Sequence, residues 1–187
     1  TSLCFNCSCV IVRKYNDDYA NVMSLEILNL YNCIYFNSPA MTEAIAEFFE
    51  RDIRLFIDEI NGFKDEKDLW QLKDGVTNCA GNLALHLIGN LNHFFGTILA
   101  NSGYVRHRDD EFATKNVPRQ QLVYDLQNAI PLVTNTLTGL SKADLEKDYP
   151  VSPTGKPMST EATIIHLLTH LNYHRGQVNY LRRILEK

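Results

Sequence analysis

The run His166-Leu-Leu-Thr-His170-Leu-Asn-Tyr-His174-Arg-Gly-Gln177 sets three histidines at four-residue spacing. That period belongs to an α-helix, where residues i and i+4 lie about 40° apart around the axis and roughly 6 Å apart along it. Thr163, His166, His170, His174, Gln177 and Leu181 then share one narrow sector, flanked by Leu167, Leu171 and Val178. This face must turn inward against other helices. Neighbouring imidazoles can close on one cation, but His166 and His174 stand about 12 Å apart along the axis, too far to share it. One pair can chelate, and any further ligand must come from another helix. Spacing alone does not choose the pair.

The segment from about Val76 to Ala100 repeats the theme, with Leu83, His86, Asn90 and His93 on one face beside Leu87, Leu91 and Phe94. Burying unpaired imidazole costs free energy, so two helices that turn histidines inward need a reason. Helical bundles build metal sites in this manner. No Glu sits in a His-Glu-x-x-His arrangement, which argues against a zincin-type protease. His107 lies in a polar loop and is expected to be solvated.

Two other helices complete the pattern. Residues 42–61 carry the apolar stripe Ile45, Phe48, Phe49, Ile53, Leu55, Phe56 and Ile60, stopped by Gly62. Pro118 opens a helix that reaches about Leu140, and Pro131 inside it is expected to kink or break the rod. Between them run a polar segment with Trp70 and a long loop holding Arg106-His-Arg-Asp-Asp-Glu-Phe112. Ser141-Lys-Ala-Asp144 reads as a short extra turn, and Ser159 or Thr160 caps the last helix. Strand periodicity is absent after residue 41. The expectation is an all-α, up-and-down-type four-helix bundle over residues 41–187.

Residues 1–40 differ: they are rich in Asn, Tyr and Cys and lack a clean helical period, apart from a short candidate helix at 22–31. They read as a peripheral extension, with Met41 as a candidate natural start. Cys4-x-x-Cys7-x-Cys9 lacks the partner pair that a zinc site needs. Cys33 and Cys79 read as small buried residues of a reducing compartment. A formal net charge of −4 gives no reason to expect nucleic acid or an anionic membrane as partner. No apolar run approaches the ~18 residues of a membrane span, and no leader pattern appears, so a cytoplasmic location is expected.

Three elements together resemble the DinB-like superfamily, four-helix-bundle proteins that include metal-dependent thiol transferases. His170-Leu-Asn-Tyr-His174-Arg-Gly-Gln177 is similar to its C-terminal motif, and the stretch from Asn78 to Leu91, with His86 followed by Gly89-Asn90, to its second-helix motif. Arg106-His-Arg108-Asp109-Asp110-Glu111-Phe112 is similar to an Arg-Asp-x-Glu-Phe element of one branch. The resemblance spans about Met41 to Lys187.

What it implies is a site of His86, His170 and His174, with His93 and His166 in supporting positions or simply filling the core. Three neutral imidazoles leave a divalent ion, zinc or nickel, with open positions suited to catalysis. The implied activity is transfer of a low-molecular-weight thiol, ionised on the metal, to an electrophilic small molecule. Asp110 and Glu111 are candidates to take a proton or fix a histidine tautomer, and Gln177 to orient His174. Arg106 and Arg108 are candidates for holding a carboxylate of the thiol cofactor. A metal-dependent hydrolase using bound water and a non-catalytic, stress-related metal-binding module are the alternatives. Relatives of this kind are often homodimers.

Overall fold

The computed structural model describes residues 41–186. The expectations for residues 1–40 lie outside them. Six α-helices follow: α1 (Met41–Asn61), α2 (Ala80–Leu91), α3 (Arg108–Ala113), α4 (Arg119–Thr138), α5 (Lys142–Glu146) and α6 (Thr160–Leu185). A 3-10 turn occupies Glu66–Trp70, and α2 runs on into a π-helical stretch, Asn92–Leu99. Among the described residues no strand forms, and no helix is long and apolar enough to cross a membrane.

The ends follow local chemistry. Ser141 and Asp144 form a reciprocal capping box at α5, and the Ser159 hydroxyl accepts from the Ala162 amide at α6. Pro131 neither ends nor splits α4, which runs unbroken from Arg119 to Thr138. The stretch expected as a loop up to Val117 instead contains α3.

Four long helices share one core, with Phe49, Ile53, Phe56 and Ile60 of α1 meeting Leu83, Leu87, Leu91, Leu122, Leu126, Leu167 and Leu171. Their directions are legible in the polar pairs. Asp52 accepts from Asn172 at 2.6 Å and from Arg175 at 3.1 Å. One heptad on, Glu59 accepts from Asn179 at 2.8 Å and from Arg182 at 2.9 Å. Partners thus advance together, so α1 and α6 run parallel. Arg119 at the start of α4 reaches the carbonyls of Asn61 and Phe63 past the end of α1, so α4 opposes α1. Asn82 meets Thr114 just before α4, and Gly96 lies beside Leu132, so α2 and α4 are parallel.

The simple up-and-down alternation expected from the sequence is therefore replaced by an order of up, down, down, up. Its cause is residues 100–118. A connection between two parallel helices must travel back along their length. That return strap carries Arg106 and α3 across the flank of α2.

Asp52 is fully buried. Burial pushes its carboxyl pKa up, but bonds from Arg51 and Asn172 outweigh that and hold it below the usual range. Asp52→Ala strands Arg175 and Asn172 at the α1–α6 seam, and urea denaturation should show a loss of about 2–4 kcal/mol.

Candidate metal centre

Histidines from two antiparallel helices converge here. His86 of α2 and His170 and His174 of α6 each offer a ring nitrogen, all within 4.8 Å of one another. His170 Nε2 lies 3.3 Å from His86 Nε2 and 3.0 Å from His174 Nε2. Nitrogens bound tetrahedrally to zinc at about 2.0–2.1 Å are roughly 3.3 Å apart, so the spacing suits an ion of that size.

The proton inventory makes the case sharper. His86 Nδ1 donates to Glu111 Oε2 at 2.8 Å, and His174 Nδ1 donates to Gln177 Oε1 at 2.7 Å. Each ring's proton is thereby fixed on Nδ1, which leaves a bare lone pair on Nε2. His170 faces both lone pairs, and its buried Nδ1 has no hydrogen-bond partner. A proton on His170 Nε2 can serve one neighbour only; a proton on Nδ1 leaves three lone pairs pointed at each other. A doubly protonated ring is not a remedy. Burial, reinforced by His174 and His86, pushes the His170 pKa down to about 3. Burial also lowers His174, against the bond from Gln177. His170 and His174, both held toward the neutral form, and His86 with its Nε2 turned to them make a donor set that fits a divalent cation.

Glu111 is the centre of the supporting shell. It is buried, and burial alone would raise its pKa, but the bonds from His86 and Arg106 win and lower it. Arg106 grips the carboxylate with both arms, Nε to Oε1 at 2.7 Å and Nη2 to Oε2 at 2.9 Å. The 3.4 Å approach of Arg106 Nη2 to His86 Nδ1 is two donors crowding one carboxylate oxygen. Gly89 makes the approach possible: a Cβ there would collide with Glu111 Oε1. The amide of Asn82 donates to the carbonyls of Glu111 and Thr114 at 2.8 and 2.9 Å, pinning α3 to α2. Lys115 Nζ and Cys79 Sγ hydrogen-bond to the Asn82 carbonyl oxygen.

The other named residues lie further out. Asp109 and Asp110 are exposed, as is Arg108, whose guanidinium sits 5.5 Å over the Phe112 ring. Phe112 in turn packs on His86 at 5.1 Å. His166 stacks on His170 with centroids 6.3 Å apart, outside the converging trio. His93 packs on Phe94, and its pKa is lowered by burial and by Arg106. His107 is exposed and Cys79 fully buried, as expected. Asn82, Asp52 and Asn172 were not singled out by sequence reasoning. Asn82 could have been, as an amide one turn before His86, whereas Asn172 lies on the side of its helix opposite His170 and His174.

Residues 38–187 match a family described as "Protein of unknown function (DUF1572)". The chain belongs to the DUF1572 family. No curated protein matches it. The match takes in every residue of the trio and of the Glu111 shell, so the site lies wholly within the DUF1572 region.

Elemental analysis should find about one divalent ion per chain, lost in His86→Ala, His170→Ala and His174→Ala but kept in His166→Ala and His93→Ala. Glu111→Gln should weaken metal affinity about 10–100-fold, as loss of such a partner does elsewhere.

The metal-free protein should also show a pH signature. Unfolded His170 titrates near 6.5 and the folded residue near 3, so between those values only the unfolded chain binds that proton. Stability is thus fully present above about pH 6.5 and falls as the pH drops toward 3. Melting temperatures of chelated protein should decline through this window, and His170→Gln should flatten the decline.

Proposed function

We propose that this chain is a divalent-metal-dependent S-transferase of the DinB-like kind, built on that superfamily's four-helix bundle. Its co-substrate is a low-molecular-weight thiol and its substrate an electrophilic small molecule in a reducing compartment such as the cytoplasm. The observation that carries this reading is the trio of Nε2 lone pairs with two tautomers fixed from behind. Zinc or nickel held there supplies Lewis acidity that lowers the pKa of a thiol.

Thiol is favoured over water for a chemical reason. Activating water calls for a nearby base, and among the described residues the buried carboxylate beside the trio, Glu111, has both oxygens committed to His86 and Arg106. Asp109 and Asp110 are exposed. A thiol starts from a pKa of about 8.5 rather than water's 15.7, and so needs far less help to ionise.

In this reading Glu111 and Gln177 act on His86 and His174, holding each ring with its lone pair forward. Arg106 is a positioning residue that keeps Glu111 ionised. Arg108, exposed and free of any carboxylate, is the group left to meet an acidic thiol such as a peptide thiol or a malate-bearing thiol.

Metal-loaded protein incubated with bacillithiol, mycothiol or glutathione and a chlorinated aromatic electrophile should accelerate thioether formation with at least one thiol. Arg108→Ala should raise KM for that thiol with little change in kcat. Ester or amide turnover without thiol would instead establish a hydrolase, and no turnover in either panel would leave a metal-binding module.

A further inference from the structure

Three exposed apolar side chains, Val76, Tyr180 and Ile184, stand around one cleft between the start of α2 and the last turns of α6. Its floor is Leu83 and Leu181, both buried. Single exposed apolar residues are common on a protein surface and need no explanation. Here three of them line one concavity of about 200 Å³. A closed cavity of about 150 Å³ lined by such side chains takes up benzene, so this cleft has room for a single ring with a small substituent. Concave, mostly apolar sites with a few placed polar groups are where small molecules bind, and the space between bundle helices is a common place for them.

Two amides, Asn78 and Gln177, complete the lining. Gln177 ties the cleft to the metal centre. Its Oε1 accepts from His174 Nδ1 at 2.7 Å, and its Nε2 has no partner among the described residues. An amide has one accepting and one donating arm, so the bond to His174 decides which arm is left for the cleft. The Nδ1 proton stays where it is only while the amide keeps this orientation, and in the metal-free site ring and amide can reverse together. A cation on His174 Nε2 removes that freedom. The ring then carries its proton on Nδ1, Gln177 must turn Oε1 to it, and the free arm is the donor. The metal-loaded cleft therefore suits a ligand that brings a hydrogen-bond acceptor.

We propose that this cleft binds a small carbonyl compound with a single ring or short chain, its apolar body on Leu83, Leu181 and Ile184 and its oxygen on Gln177 Nε2. Metal and ligand each tighten the other's binding through Gln177. The coupling is reciprocal by necessity: the factor by which the metal raises ligand affinity is the factor by which the ligand raises metal affinity. Gln177 lies one helical turn beyond His174, so the two sites adjoin without sharing an atom. The proposal rests on the metal centre and stands whether or not the metal-loaded protein transfers thiols.

Methyl resonances of the full chain, followed by NMR in excess zinc or in chelator, test this with two probes. Acetophenone carries a ring and a carbonyl; isopropenylbenzene has the same shape with a methylene in place of the oxygen. Acetophenone should shift the methyls of Leu83, Leu181 and Ile184. It should bind about three- to tenfold more tightly to the zinc-loaded protein, the range that one added hydrogen bond supplies. Isopropenylbenzene should bind equally with and without zinc. In zinc-loaded protein Gln177→Met should weaken acetophenone by a similar factor and leave isopropenylbenzene no weaker. Ile184→Trp, at the exposed rim, should fill the cleft and abolish the binding of both. Acetophenone held by the metal itself would ignore Ile184→Trp, and that result would overturn the proposal. So would Leu83 and Leu181 methyls that do not respond to acetophenone, or an affinity that does not depend on zinc. Protein that takes up no zinc would overturn the coupling together with the metal centre. Binding as described, in protein that transfers no thiol, would uphold the cleft and overturn only the activity proposed above.

Discussion

The contact between Glu111 and His86 is the constraint around which the rest of the site is arranged. A carboxylate must reach an inward-facing ring from outside the core, and each oddity of the surrounding chain serves that reach. The consecutive long helices α2 and α4 run parallel, so a strap has to return along α2 and can lay α3 beside it. Gly89 opens the surface of α2 where Glu111 enters. Asn82 clamps the strap's backbone, and Arg106 keeps the carboxylate charged while His86 donates to it. Removing any one of these leaves a buried group without its partner, which costs about 1–3 kcal/mol for a neutral group and more for an ion.

Helix α6 divides its circumference among three tasks. One side turns His170, His174 and Gln177 toward α2. A second carries Asn172, Arg175, Asn179 and Arg182 to the acidic row of α1, with each clamp repeating after one heptad. The third faces outward, and Tyr180 at its edge walls the cleft beside Gln177. The clamps set rotation as well as register: Asn172 and Arg175 straddle His174 in sequence and hold the helix from the opposite side. The histidines are therefore aimed by residues that never touch them.

Much of this was legible in the residues. Apolar periodicity placed the long helices, and the four-residue spacing of the α6 histidines required a further donor from elsewhere, while the choice of His170 with His174 rested on the family resemblance. Two things were not legible. Helix direction depends on which polar residues meet across a seam, and Asp52 with Arg175 gives no periodic signal of its own. The strap around Glu111 is too short and too polar for a helical period to show, so α3 read as loop. Of the acidic run 109–111, only the place of Gly89 on the neighbouring helix decides that Glu111 is the residue admitted. Whether a side chain is buried there is a tertiary fact, since Asp109 and Asp110 have the same chemistry and remain in solvent.

The least comfortable atom in the site explains its character. His86 and His174 each have an acceptor behind them, but His170 has none, and its Nδ1 is buried without a bond. A structural site would be expected to satisfy all three rings, since the cost of an unpaired polar group recurs in every folded molecule. Leaving one ring unsupported makes the metal-free trio an unsatisfied arrangement. Metal binding relieves the facing lone pairs, and its free energy is then linked to folding. The chain thus holds a preformed set of donors at some cost to its own stability, and that is the state in which a cation gains most from entering.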